Sequence, residues 1–236
     1  MKYILYIAII LVAYFGFYAV RIFYYSNYSP LPALEPKDIT LGNGSPIKYI
    51  ASGDSTAVGV GASSIENTYS YKTAEHFAQN NKVEYRNIAV SGARTKSFIS
   101  DQLPKIIEFQ PDVITISIGA NDLTHLISSQ TIFENYKQTI TELESKTTAK
   151  IYITNIPNFN GAKLLPFWFV AIMENKSESI NKQILNLETE RTKIINIHDF
   201  GWDKFPDLSV TYAADNFHPN DTGYQNWANA FLDRIK

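Results

Sequence analysis

The stretch Asp112-Val-Ile-Thr-Ile-Ser-Ile118 constrains the fold more than any other part of the chain. It is rich in β-branched residues and apolar at positions that point to both faces of a strand, with Thr115 and Ser117 as the interruptions. A strand of that kind belongs inside a sheet that is covered on both sides. The flanking sequence offers the covers. Strand-like runs at 47–51, 83–90, 112–118, 150–155 and 193–197 alternate with helical patterns at 69–80, 97–109, through Phe133-Tyr136-Ile140-Leu143, at 164–190 and at 221–235. Pro104 is expected to kink or delay the second of these helices. Five strand and helix pairs predict an α/β fold, a three-layer α/β/α sandwich on a mainly parallel five-stranded sheet. Right-handed crossovers then gather the carboxyl ends of all the strands along one edge.

The amino terminus departs from this pattern. Residues 3–20 carry no charge between Lys2 and Arg21, and as a helix they would span about 27 Å at about 1.5 Å per residue, close to the thickness of a bilayer's hydrocarbon core. A secretory signal peptide has a shorter apolar region and a small-x-small cleavage site, whereas Phe17-Tyr18-Ala19 has no small residue at the outer position. The expectation is therefore an uncleaved transmembrane helix, residues 1–25, making the protein single-pass in the cell membrane; secretion after cleavage is the alternative. Lys2 and the α-amino group precede the span and Arg21 alone follows closely, which puts the amino terminus in the cytoplasm and the remainder outside. Residues 26–46 contain Pro30, Pro32, Pro36 and Pro46 and read as a stalk. Residues 47–236 form one domain of ordinary globular composition.

Composition excludes several classes of function. A net charge of −2 gives no basic field for nucleic acid. The absence of cysteine removes thiolate zinc sites and a cysteine nucleophile. The four histidines, His76, His125, His198 and His218, show no metal-ligand spacing, and no metal is expected. Gly59-Val60-Gly61 is a partial dinucleotide fingerprint in which Ser64 stands where the third glycine belongs. No cofactor is implied.

The run Ile47-Lys48-Tyr49-Ile50-Ala51 stops at Ser52-Gly53-Asp54-Ser55, which delivers a serine to a sharp turn at the strand's carboxyl end, where open α/β sheets bind ligands. Ser55 is the candidate nucleophile, with helix capping as the bland alternative. Far downstream, Asp215-Asn216-Phe217-His218-Pro219 places a carboxylate three residues before a histidine. A serine hydroxyl attacks an ester well only when an imidazole removes its proton, and that imidazole needs a carboxylate on its other nitrogen. Ser55, His218 and Asp215 would fill the three roles. An Asx-turn at Asp215 and an ordinary solvated His218 are the structural alternatives, and solvated is the expectation for His76, His125 and His198.

With these pieces in order the chain resembles the SGNH hydrolases, the GDSL-type esterases and lipases, across 47–236. Gly53-Asp54-Ser55 corresponds to the nucleophile motif, Asn87-Ile-Ala-Val-Ser-Gly92 to the segment with the oxyanion glycine, Gly119-Ala120-Asn121-Asp122 to the Gly-x-Asn-Asp motif, and Asp215-x-x-His218 to the acid and base. Thr56 stands where the motif's leucine usually does. The resemblance implies a flavodoxin-like sheet and a serine esterase working through an acyl-enzyme, with an oxyanion hole from the backbone N–H groups of Ser55 and Gly92 and the amide of Asn121, while Asp122 serves structure. It further implies a small-molecule or lipid ester substrate. Acyl-lipid or lysophospholipase-like esters are expected, with O-acetyl groups on envelope carbohydrate, removed or transferred, as the alternative, and a binding module that has lost the chemistry as the non-enzymatic one. Leu164, Leu165 and Phe167 open an uncharged run just after the fourth strand, and Pro166 should hold them in the loop beside Ser55 as an acyl channel.

Overall fold

The computed structural model describes residues 2–28, 31, 34, 38–205 and 207–235. A long helix α1 (Lys2–Tyr28) comes first, and Lys2–Tyr25 within it is long and apolar enough to cross a membrane. The body then alternates strands and helices as the sequence predicts. Strand β1 (Ile39–Leu41) is followed by β2 (Ser45–Gly53), the short helix α2 (Ser55–Val58), α3 (Tyr69–Ala78), β3 (Asn81–Asn87), α4 (Thr95–Asp101), α5 (Leu103–Phe109) and β4 (Val113–Ser117). After these come α6 (Ala120–Thr124), α7 (Ser129–Lys146), β5 (Lys150–Thr154), α8 (Phe167–Ile184), β6 (Thr192–Ile195) and α9 (Asp221–Arg234).

The six strands form one sheet in the order β1-β3-β2-β4-β5-β6. Strands β3-β2-β4-β5-β6 are parallel, so by order among the parallel strands the arrangement is 2-1-3-4-5, a doubly wound sheet whose switch point lies between β2 and β4. Alternation along each strand sorts the core into two halves. Ile50, Ile114, Ile116, Ile151, Ile153 and Ile194 face α4, α5, α7 and α8, while Tyr49, Ala51, Val113, Tyr152 and Ile195 face the layer of α3 and α9. In that second layer Tyr69 stacks on Phe231 with ring centroids 4.7 Å apart. The polar interruptions of β4 are explained by partners: Thr115 Oγ1 lies 2.8 Å from the Tyr49 hydroxyl, and Ser117 Oγ lies 2.6 Å from Thr56 Oγ1.

Three expectations change. The sheet has six strands, not five, because Ile39-Thr40-Leu41 pairs antiparallel with Tyr85-Glu84-Val83 at the edge. Three residues are too few for a period to register, and they lie in the stretch read as a stalk, as do the first two residues of β2. Of the stalk prolines, Pro46 lies in β2, and Pro30, Pro32 and Pro36 fall outside the described residues. The helix expected over 97–109 is two helices that meet at Gln102. Pro104 occupies the first turn of the second one, where its missing N–H costs nothing, and the chain turns between them. The fourth helical pattern, 164–190, is helical only over Phe167–Ile184: Pro166 delays the start as expected, standing as the N-cap, and the helix stops short of 190.

Candidate active site

Ser55 is held at the switch point by a turn that only glycine can make. Gly53 has φ +129, and a Cβ there would sit 1.8 Å from the Ser117 carbonyl oxygen on the neighbouring strand. The peptide units of Gly53 are clamped by Gln102, whose Oε1 accepts from the Gly53 N–H at 2.9 Å while its amide donates to the Gly53 carbonyl at 2.8 Å. Asp54 caps α2 by accepting from the Thr56 N–H at 3.0 Å and from its hydroxyl at 2.7 Å, so the residue at the family's leucine position is tied into the turn. Burial pushes the Asp54 carboxyl up to about 6, against the hydrogen bonds from Thr56 and the charge of His218.

Ser55 and His218, 163 positions apart, meet here: His218 Nε2 lies 2.9 Å from Ser55 Oγ. His218 Nδ1 lies 2.6 Å from Asp215 Oδ2, and the other oxygen of Asp215 accepts from the backbone N–H groups of Phe217 and His218 at 3.0 and 3.1 Å. One carboxylate therefore both shapes the loop and orients the ring. Burial works to raise the Asp215 pKa, but His218 and the two N–H groups outweigh it and hold the group below its ordinary value. Such a carboxylate stays ionised and favours the Nδ1–H tautomer, leaving Nε2 as an acceptor that faces Ser55 Oγ.

Gly92 has φ +79, and a Cβ on it would meet nothing within 4 Å, so its backbone borders open space. Asn121 lines the same crevice as Ser55 and His218. One hydrogen of its amide goes to the Ala93 carbonyl at 3.0 Å, which ties the loop after β4 to the loop after β3, and the amide carries a second hydrogen. Asp122 is buried and structural: it accepts from the Thr95 N–H at 2.9 Å and the Thr95 hydroxyl at 2.6 Å. It thus serves the start of α4 in a separate loop, not the helix that follows it.

The crevice beside Ser55 has a free volume of about 40 Å³, and its wall includes Phe159, Thr211, Tyr212, Phe217 and Trp227. Sequence reading missed these residues. Phe159 and Tyr212 follow the fourth and fifth parallel strands, so their position at the active edge was inferable, but nothing in their spacing marked them. Phe217 stands edge-on to the His218 ring at 5.1 Å and is stacked on Phe159 at 6.4 Å. Leu164, Leu165 and Phe167 do not line the crevice. The Leu164 N–H donates to the Asn216 carbonyl at 3.2 Å and so braces the Asp215–His218 loop. Leu165 packs on the core beneath, and Phe167 is 75% exposed with α1 beside it.

His198 also departs from expectation, being no solvated side chain. Its Nε2 lies 3.3 Å from Glu174 Oε2 and its Nδ1 2.6 Å from Asp199 Oδ1. Burial would lower its pKa, but the two carboxylates prevail and raise it. Glu174 in turn accepts from the Phe159 N–H, and Asn158 Nδ2 donates to the His198 carbonyl at 2.9 Å, so the cluster supports the crevice wall.

Similarity to known proteins follows the same geometry. Solved structures of like fold include a lipase from a goat rumen metagenome, at 22% identity and TM-score 0.66 over 79% of this chain and 96% of that one. An acetylxylan esterase from Geobacillus stearothermophilus matches at 18% identity and TM-score 0.61 over 83% of this chain and 96% of that one. No curated protein matches the sequence. The model of the GDSL-like lipase/acylhydrolase family matches residues 51–225, from the β2 turn to the first turns of α9 with every motif residue inside it, and the chain belongs to that family of ester hydrolases.

Proposed function

We propose that this ester hydrolase works through a covalent acyl-enzyme on Ser55. The relay from Asp215 through His218 to Ser55 Oγ carries the proposal. His218 Nε2 takes the hydroxyl proton as Oγ bonds to the ester carbonyl carbon. The carbonyl oxygen becomes an anion received by the N–H groups of Ser55 and Gly92 and the Asn121 amide. The C–O bond to the alcohol breaks, and His218 returns the proton to the departing oxygen. Water then attacks the acyl-enzyme with His218 again as base, releasing the acid and restoring Ser55. Donors fixed where the charge develops are worth on the order of 10²–10³ each in acyl transfer.

The crevice favours a short acyl group. A free volume of about 40 Å³ walled by the rings of Phe159, Tyr212, Phe217 and Trp227 suits acetyl better than a fatty chain. The substrate on this reading is a short-chain ester of a larger alcohol that remains outside the crevice, as on acetylated carbohydrate. An acyl-lipid ester is the second reading, favoured by the apolar tip of α8, where Phe167, Trp168 and Ile172 are exposed. A series of p-nitrophenyl esters separates them. The expected kcat/KM is highest at acetyl and falls at least about tenfold by octanoyl; each methylene accommodated would instead add up to ~0.8 kcal/mol of binding, so a rise towards octanoyl rejects the short-chain reading.

We infer further that α1 is retained as a single-pass anchor, with the catalytic domain outside the cytoplasm and beginning near residue 38, where β1 joins the sheet. The full-length protein should sediment with membranes after a high-salt wash, and a mature amino terminus beyond residue 20 would make the segment a signal peptide instead.

A further inference from the structure

The apolar span of α1 does not stand clear of the catalytic domain: the tip of α8 lies against it. Residues 2–13 of α1 are exposed all round, whereas Tyr14, Tyr18, Arg21 and Tyr25, one face of the helix, are partly covered. Lys2–Tyr25 is about 36 Å long at about 1.5 Å per residue, against a hydrocarbon core about 30 Å thick. Phe15 stands about 20 Å from the start of that helix and so lies within the core. What touches it there is the tip of α8: Trp168 packs on Phe15 with ring centroids 6.1 Å apart, and a groove bounded by Ile10, Leu11, Tyr14, Phe15, Phe167 and Trp168 runs between the two helices.

The tip of α8 is itself uncharged. Its first seven residues, Phe167-Trp-Phe-Val-Ala-Ile-Met173, carry no charge and the first charge is Glu174, which makes an apolar tip of about 10 Å. Phe167, Trp168 and Ile172 are 75%, 37% and 44% exposed. On α1, Arg21 lies six residues past Phe15, and on α8, Glu174 lies six residues past Trp168, so each helix reaches its first charge the same distance from their contact. Helices that enter the headgroup and acyl boundary sink about 5–10 Å.

We propose that the amino-terminal tip of α8 inserts into the bilayer that holds α1, with lipid acyl chains filling the groove between them. The inference rests on the reading of α1 as a retained anchor. It seats the domain on the membrane in place of leaving it clear on a stalk.

Tryptophan fluorescence of the full chain tests this. The protein contains three tryptophans, Trp168, Trp202 and Trp227, and Trp168 is the one on the tip. Full-length protein reconstituted in phosphatidylcholine vesicles with acyl chains brominated near mid-chain should show a quenched component absent in unbrominated vesicles. Trp168→Phe should abolish that component, and Ile172→Asp should reduce it severalfold while kcat/KM on soluble p-nitrophenyl acetate stays within about twofold. If wild type floats with the vesicles but its emission is the same in both lipids, or if the quenched component survives Trp168→Phe, the insertion is wrong although the anchor stands. Failure to float with vesicles overturns the anchor and the insertion together.

Discussion

Asp54 and Asp215 are both buried beside Ser55, yet their environments drive them in opposite directions. Asp215 gains His218 and two N–H groups and is held low, so its contribution to stability is present above the ordinary carboxyl value of 3.8 and is lost as pH falls through its depressed folded pKa. Asp54 is raised to about 6 by burial. Its contribution is therefore complete below 3.8 and is lost as pH rises through about 6. Asp54→Asn keeps an oxygen for the Thr56 N–H and never ionises. The expected result is a Tm difference, variant minus wild type, that is more positive at pH 8 than at pH 4. A difference that does not change with pH contradicts the account. At this scale local spacing and turn chemistry marked Ser55, Asp215 and His218 as candidates, and the fold brings the three side chains within hydrogen-bond distance. The sequence did not reveal the setting of His198, since Glu174, one of the two carboxylates that hold it, lies 24 positions upstream on α8 and comes near only in the folded chain.

At the scale of elements, the β2 turn depends on the break between α4 and α5. Gln102 sits at that break, 1% exposed, and its amide serves both the N–H and the carbonyl of Gly53. In Gln102→Ala the Val90 N–H still reaches the Gly53 carbonyl at 3.1 Å, but the Gly53 N–H loses its partner. A buried unsatisfied group costs about 1–3 kcal/mol, so urea unfolding should show a loss of that size, together with a lower kcat as the Ser55 turn loosens. Unchanged stability would mean that Gln102 is not the clamp. The long strands and helices were legible because β-branched runs and helical periods repeat several times within each. The edge strand β1 was not, with Ile39 and Leu41 as its whole pattern. Leu164, Leu165 and Phe167 were misplaced for a related reason: apolar character shows that side chains avoid water, but the direction of the chain entering α8 decides which surface they meet.

For the molecule as a whole, the parallel sheet brings loops from distant parts of the chain to one edge, and Ser55 after β2 and Asn121 after β4 flank the switch point. The central claim is that these loops make Ser55 the nucleophile, with His218 as its base. Incubation of the intact protein with a fluorophosphonate, followed by mass spectrometry of its peptides, tests that claim most directly, because the reagent reports a base-activated serine whatever the natural ester. One phosphonyl adduct should form, on Ser55. It should be absent in Ser55→Ala and slowed by about 10³-fold or more in His218→Ala, since the two side chains act as a unit. An adduct on another residue, or labelling that persists in Ser55→Ala, would contradict the account.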